Sequence, residues 1–466
     1  KGYGHFTTRQ NIQFNWPKLT DVPKILDELG SVEMHAIQTS GNCIRNISCD
    51  HLAGINETEI EDPRPWCEII RQWSTFHPEF TYLPRKFKIA VTGSPEDRAA
   101  IKVHDIGLKI VKKEKRIGFE VYVGGGQGRS PFIAKKINEF LDKKHLLNYL
   151  EAILSVYNEL GRRDNIYKAR IKILVNEMGP EKLKKMIEKR FKNFSENSLI
   201  LKDEEILKIK NFFKLPMNNP IKSKIQDNES IDYKHWLKQN IKKHKVYGFS
   251  IVFISLKAPG KPPGDMSSNQ MLKLSEISEK FSFGEIRVTH EQNLVLPHVK
   301  NNQMFELFLE LKKIGLTTAN IDLLTDTICC PGMDYCALAT ARSIPISQKI
   351  STYFNDYEFQ KRIGKLKIKI SGCINACGHH HVGNIGILGL DKNGEESYQI
   401  TLGGSATEDS NIGKIIGPSF SEGELMEAIK TILNTFEKHR SENEDFLTVL
   451  KRIGMDQFKK DLYGNI

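Results

Sequence analysis

Cysteine is scarce in this sequence, eight residues in 466, and the scarcity excludes the disulfide framework of a small secreted scaffold. Long apolar runs are missing as well. Stretches such as FSIVFISL at Phe249–Leu256 stop well short of the roughly 20 residues that a membrane span requires, and no signal-like segment opens the chain. The sequence therefore reads as soluble and cytoplasmic. A complete dinucleotide fingerprint is lacking too: VGGGQG at Val123–Gly128 follows a strand-like run, but the full glycine pattern and the acidic residue about 20 positions further on are absent. Acidic residues are in deficit, 57 against 68 lysines and arginines, which leaves a net charge of +11. That balance suits nucleic acid, an anionic substrate or an acidic protein partner, and does not choose among them.

What is present is, first, a duplication. GYGHFTTRQNIQF from Gly2 aligns without a gap on GEIRVTHEQNLVL from Gly284, KFKIAVTG (Lys86–Gly93) on KLKIKISG (Lys365–Gly372), and VYVGGG ending at Gly126 on ITLGGS ending at Ser405. ILVNEMGPEKLKK (Ile173–Lys185) resembles TVLKRIGMDQFKK (Thr448–Lys460), and the order of all these matches is kept. Collinear matches of this kind mean an internal repeat. Within each half, β-branched alternation in KIAV and KIKI predicts strands, as does FEVYV before the glycines, and the spacing of Leu147, Leu150, Leu154 and Tyr157 predicts a helix over Leu146–Leu160. Each half is α+β. The lysine- and glutamate-rich stretch 182–243 between them reads as a charged helical connector with a solvated face. Upstream of Gly284 lie a strand, a Gly/Pro loop and a helix, whereas Gly2 is preceded by one lysine. The expectation is that the sequence begins inside its first domain, leaving an unpaired sheet edge.

The halves diverge where chemistry would sit. Cys373 follows Gly372, and its counterpart after Gly93 is Ser94; Arg45 in GNCIRN is placed, less firmly, opposite Cys330 in TICCPGMDYC. One half offers thiolates and the other cations. Cys330, Cys336, Cys373 and Cys377 form two close pairs of soft ligands, fit for an iron–sulfur cluster or zinc. The five-residue gap in CPGMDYC suits structural zinc poorly, and glycines at 372 and 378 would let backbone N–H groups approach cluster sulfurs. Chemistry alone leaves the choice open, unligated core cysteines included. The run His379–His381 tempts a metal reading, but consecutive residues point apart on regular structure, so packing or support of the site is expected. Cys43, Cys49 and Cys67 have no paired spacing and read as structural.

CPGMDYC followed by GCINACG, together with GNCIRN, YLPRKFK, VGGG and the duplication, closely resembles the sirohaem- and 4Fe-4S-dependent sulfite and nitrite reductases. GYGHFTTRQN and LGRRDNIYKARIKILV look like their bacterial assimilatory sulfite reductase hemoprotein branch. The resemblance implies two ferredoxin-like half-domains plus two reductase domains around a central cofactor site. Their expected spans are 1–32 (a remnant), 33–181 (the cations), 244–317, and 318–466 (the thiolates). It further implies that Cys330, Cys336, Cys373 and Cys377 hold the cluster, that Cys377 also bridges to the sirohaem iron, and that Cys329, one residue out of register, is packing. Arg9, Gln13 and Asn375 match cofactor-contacting positions, while Arg45, Lys86 and Lys88 match the substrate-binding cations. At His5, where a relative has a sirohaem-binding arginine, this chain departs from the pattern.

The implied reaction is six-electron reduction of sulfite to sulfide in sulfur assimilation. Electrons would pass from an acidic ferredoxin or flavoprotein through the cluster and Cys377 to sirohaem, whose eight carboxylates demand cations. Nitrite reduction to ammonia on the same scaffold is the nearest alternative. A bare-cluster electron-transfer protein and a zinc-bearing, basic nucleic-acid-binding protein are more distant ones, since neither explains the division of cations and thiolates between the halves. No nucleic acid and no membrane are expected as partners.

Overall fold

The computed structural model describes residues 2–194, 199–217 and 219–464. Its frame is two five-stranded sheets of identical design. Across the first run Ser48–Cys49, Ile89–Thr92, Ile106–Lys113, Arg116–Val123 and Lys135–Asp142; across the second run Ile328–Cys329, Ile368–Ser371, Ile385–Lys392, Glu395–Leu402 and Lys414–Ile415. In both, the first three strands are parallel and the last two antiparallel. Register is duplicated as well: Ile89 faces Ile106, which faces Val123, just as Ile368 faces Ile385, which faces Leu402. The runs IAVT and IKIS are buried at every position, as expected of strands covered on both faces.

A helix spanning Leu146–Leu160, the bounds expected from leucine spacing, covers the first sheet and buries Leu147, Leu150, Leu154 and Tyr157. The helix Glu422–His439 does the same for the second with Leu425, Ile429, Ile432 and Phe436. The stretch read as a connector does not stand apart at its start. Helices Pro180–Phe194 and Asp203–Phe212 place Leu183, Ile187 and Ile206 in the first core, with their lysines and glutamates facing out. Residues 195–198 and 218 of that stretch lie outside the described residues.

Two smaller sheets complete the frame. One lies within the second half and has the order Arg287–Val288, Leu294–Lys300, Phe249–Ile254 and Ile241–Lys243. In the other, Tyr3–Phe6 lies between Ile12–Gln13 and Asp265–Ser267, so the second half lends a strand to the first. Among the described residues Ile12–Gln13 pairs on one side alone, whereas its counterpart Leu294–Lys300 is flanked on both. The neighbouring helices differ accordingly. Met304–Lys313 buries Met304, Leu307, Phe308 and Leu311, while Val22–Ser31 buries no residue.

The glycine pairs after the fourth-listed strands of each half show why the motif repeats. Gly124 and Gly403 both have φ of +88°, a left-handed turn that side chains with a Cβ resist. The following glycines are pressed on carbonyls: a Cβ on Gly125 would sit 2.3 Å from the Lys102 oxygen and 2.6 Å from that of His104, and one on Gly404 would sit 2.6 Å from those of His381 and Gly383. Gly125→Ala is expected to lower unfolding free energy by about 2–4 kcal/mol, since backbone on both sides must give way. Thermal or urea unfolding would check this, and an unchanged midpoint would mean that the turn relaxes freely.

Candidate functional site

The thiol side of the site is built on the second large sheet. Cys330 directly follows the strand Ile328–Cys329, Cys336 follows the turn Gly332–Asp334, and Cys373 and Cys377 lie in the loop after Ile368–Ser371. The Gly372 N–H donates to Cys330 Sγ at 3.2 Å, the backbone approach anticipated for that glycine. The close fit is enforced, because a Cβ on Gly372 would lie 2.5 Å from the Ala341 oxygen and one on Gly378 would lie 1.8 Å from that of Ile370. Burial pushes the Cys330 and Cys373 thiols up, and the neighbouring Cys377 adds to the effect at both. Holding several thiolates here therefore calls for positive charge among them. The four thiols are soft donors of the kind that hold an iron–sulfur cluster or zinc.

Cys329 is turned the other way: its thiol is 1% exposed and donates to the Cys330 carbonyl at 3.1 Å. Its backbone is held at both groups by the Gln292 amide, at 2.8 and 2.9 Å. Gln10 grips Cys49 in the same way, at 3.2 and 2.9 Å. This shared clamp corrects one alignment. Cys49 is the counterpart of Cys329, so Cys330 corresponds to Asp50 and not to Arg45. Cys377 then matches Arg98, and Cys373 matches Ser94 as read. In the first half Arg98 binds Asp50, with Nη2 at 2.7 Å, and Ser94 Oγ accepts from Asn56 at 3.2 Å. Polar pairs fill the place where the second half has thiols.

The cations come from the first half. Phe87 is fully buried and bridges to Ile44, just before the strand Ile89–Thr92 begins. The flanking Lys86 and Lys88 therefore project together into a cleft of about 650 Å³, as alternation on extended chain demands. Arg9, Gln13, Arg45, Asn375 and Cys377 line the same cleft. All the residues singled out in the sequence for substrate and sirohaem thus converge, and Cys377, the exposed member of the thiol set, opens onto them. Arg9 is 8% exposed, donates to Ser48 Oγ and the Asn46 carbonyl at 2.6 Å, and keeps a buried Nε without a partner. Arg45 is held by the carbonyls of Thr39 and Gly41 at 2.8 and 2.9 Å. His5 faces away: its Nδ1 is 2.7 Å from Asp265.

Electrostatics set this cleft apart. Among the described residues the ammonium groups of Lys86 and Lys88 have neither a hydrogen bond nor an ion pair. Burial holds Lys88 well below the usual lysine range, with Arg9 and Lys86 adding to it; burial and then Arg170 lower Lys86, and together they bring Lys172 to about 8. Arg9 falls to about 10 for the same first reason. Cations that converge on one cleft without ion pairs favour an anion among them. A cofactor rich in carboxylates fits that need, and so does an oxyanion substrate.

The corresponding place in the second half is closed. Lys367, the counterpart of Lys88, has its ammonium 2.8 Å from Glu291 and 2.9 Å from both Asp322 and Asp326. Glu291 stands where the first half has Arg9. These three acids are the one group of close potential ligands among the described residues, and a lysine already occupies their centre. The histidine run does not converge on an ion. His379 borders the cleft, His380 is fully buried with both ring nitrogens unpartnered, and His381 Nε2 lies 3.0 Å from the Gly128 carbonyl.

Three residues of the cleft, Thr8, His104 and Arg170, escaped the sequence reading, as did Lys172 beside it. Thr8 donates to the Cys377 carbonyl at 3.1 Å; His104 Nε2 lies 2.5 Å from Arg9 Nη1; Lys172 donates to the carbonyls of Gln127 and Ser130; Arg170 binds Asp105. A signal for two of them was present: Arg170 and Lys172 sit in the KARIK segment, whose basic residues alternate with apolar ones.

Comparison with known proteins agrees with this geometry. Residues 40–194 and 321–465 match the nitrite and sulphite reductase 4Fe-4S domain, and residues 1–32 and 243–314 match the nitrite/sulfite reductase ferredoxin-like half domain. The chain belongs to the nitrite and sulphite reductase family. It is an oxidoreductase of the sirohaem and 4Fe-4S class. It is 26% identical to the assimilatory ferredoxin-dependent nitrite reductase of Haloferax mediterranei, over 98% of this chain and 76% of that one. It is 28% identical to the chloroplastic ferredoxin–nitrite reductase of Arabidopsis thaliana over 95% and 73%, and 26% identical to sulfite reductase (ferredoxin) 1 of Mycolicibacterium paratuberculosis over 97% and 77%. The fold superposes on the Mycobacterium tuberculosis NirA protein with a TM-score of 0.79, at 24% identity, covering 98% of this chain and 79% of that structure. Among the described residues no helix is long and apolar enough to cross a membrane.

The lowered lysines give the protein a distinctive pH response. Unfolded lysines keep their protons up to about pH 10.4, while these folded ones release them earlier, Lys172 at about 8. Between those values the unfolded state binds more protons, so stability rises with pH. The raised thiols act in the opposite sense, so the lysine contribution is read as a difference: between pH 7 and pH 9 the melting temperature of cofactor-free protein is expected to rise more, or fall less, than that of Lys88→Met. Calorimetry across the range tests this; parallel profiles for the two proteins would contradict it.

Proposed function

We propose that the protein reduces sulfite to sulfide with six electrons at a sirohaem coupled to a 4Fe-4S cluster. The observation that carries this reading is the pair of half-buried lysines, Lys86 and Lys88, that share one cleft and, among the described residues, form no ion pair. Cys330, Cys336, Cys373 and Cys377 would hold the cluster, with Cys377 also the bridge to sirohaem, and Arg9, Gln13 and Asn375 would contact the sirohaem. When bound, the two cofactors would supply single-electron reducing power to the anion.

The chain's own residues do the rest. Arg45 offers a planar fork to oxyanion oxygens, its orientation set by two main-chain carbonyls. Lys86 and Lys88 bind the dianion and, with proton affinities lowered by desolvation, can release a proton from Nζ to a departing oxygen more readily than an ordinary lysine. The reductase domains and half-domains would divide as 33–181 with 318–466 and 1–32 with 244–317, the cofactors lying between them. The donor would be an acidic ferredoxin or flavoprotein drawn to a chain of net charge +11, and the setting cytoplasmic. Nitrite reduction is the second reading, favoured by relatives named for nitrite that are as similar as those named for sulfite.

Two tests bear on this. In the family, nitrite enzymes resemble KxN where this chain has Lys86-Phe87-Lys88. One cation facing a charge is worth on the order of 1–4 kcal/mol at an effective dielectric near 20, and about twice that for a dianion. Lys88→Asn is therefore expected to lower kcat/KM for sulfite at least about tenfold more than for nitrite. Equal losses would make Lys88 a proton donor without selectivity, and a strong preference for nitrite in the unaltered enzyme would favour the second reading.

The adjacent cysteines provide the other test. Cys377→Ser should abolish activity and uncouple haem from cluster in absorption and paramagnetic resonance spectra, because an alkoxide does not replace a bridging thiolate. Cys329→Ser should leave both cofactors in place. The opposite order of sensitivity would reverse the assignment.

A further inference from the structure

The buried carboxylate of Asp105 serves two partners at once. Its Oδ2 accepts the backbone N–H of Lys88 at 2.8 Å, and its two oxygens receive the Arg170 guanidinium at 2.7 and 2.8 Å through Nη2 and at 2.9 Å through Nε. Arg170 lines the cleft beside Lys86 and Lys172. Its place there is shaped by Gly126, where a Cβ would lie 3.0 Å from Arg170 Nη2.

The duplicated half separates the two jobs. The counterpart of Asp105 is Asn384, whose Oδ1 accepts the backbone N–H of Lys367 at the same 2.8 Å. A neutral oxygen is therefore enough to hold the lysine-bearing segment. The second half has no arginine to orient: the counterpart of Arg170 is Asp445, which caps the helix Phe446–Ile453 through the Thr448 N–H. Its cation site is closed by ion pairs. A carboxylate appears where a cleft must stay open and an arginine must be kept in it.

We propose that Asp105 is a positioning residue of the anion site, its negative charge serving to hold Arg170 in the cleft as a further contact for the anion. This deepens the reading given above and rests on it. A fixed guanidinium keeps its remaining donors aimed at one place, and the neighbouring carboxylate keeps the arginine from being expelled by Lys86, Lys88 and Arg9.

The test is Asp105→Asn in the cofactor-loaded enzyme, a substitution that the second half already accommodates. Expected are a rise of about tenfold in the dissociation constant and KM for sulfite with kcat within about twofold, and an unchanged slow exchange of the Lys88 amide measured by hydrogen–deuterium exchange. Asp105→Ala should speed that exchange. In an Arg170→Ala background, Asp105→Asn should add little. Unchanged sulfite affinity with a protected Lys88 amide would overturn the proposal. Weakened affinity accompanied by loss of Lys88 protection in Asp105→Asn would also overturn it, by showing a structural role alone. A parent enzyme that reduces neither sulfite nor nitrite would count against the function and not against this pairing. A crystal structure of Asp105→Asn then decides the latter: Arg170 displaced supports it, Arg170 in place refutes it.

Discussion

The structure depends on positive charge that converges without being neutralised. Arg9, Lys86 and Lys88 share a cleft in which desolvation, reinforced by neighbouring cations, depresses their proton affinities, and the carboxylate facing them, Asp105, is taken up by Arg170. Such an arrangement costs several kcal/mol per desolvated ion and persists because the surrounding sheets fix the backbone that carries it. Phe87, buried between them and bridged to Ile44, fixes the extended chain from which both lysines reach the cleft.

The second half shows what the same backbone does when no anion is to be bound. Lys367 occupies the place of Lys88, and Glu291, Asp322 and Asp326 close around it. The thiol side mirrors this relation. Cys330 and Cys377 have as counterparts Asp50 and Arg98, which pair with each other. Each half therefore keeps one site open and satisfies the other internally, and the two open sites meet where Cys377 reaches the cations. A duplicated fold yields one composite centre because the retired copies neutralise themselves.

Much of this was legible in the chain. The helix Leu146–Leu160, the strands of KIAV and KIKI, the repeat and the four cysteines follow from periodicity and spacing, which are local properties. The convergence of Lys86 and Lys88 also followed, since alternation on extended chain is local. The pairing of Arg45 with Cys330 did not hold, because alignment through a loop carries no register. The Gln10–Cys49 and Gln292–Cys329 clamps supply that register, and they link residues far apart in sequence. Arg170 went unread as a cleft residue because its place there depends on pairing with Asp105, 65 residues away.

By itself the sequence determined the duplication, the two close cysteine pairs and the family, since each is written in residue type and spacing. Only the tertiary structure decided which cations are unpaired, which acids silence the second site and which cysteine faces the cleft. Charge balance depends on distances between segments tens to hundreds of residues apart, and no local pattern encodes a distance.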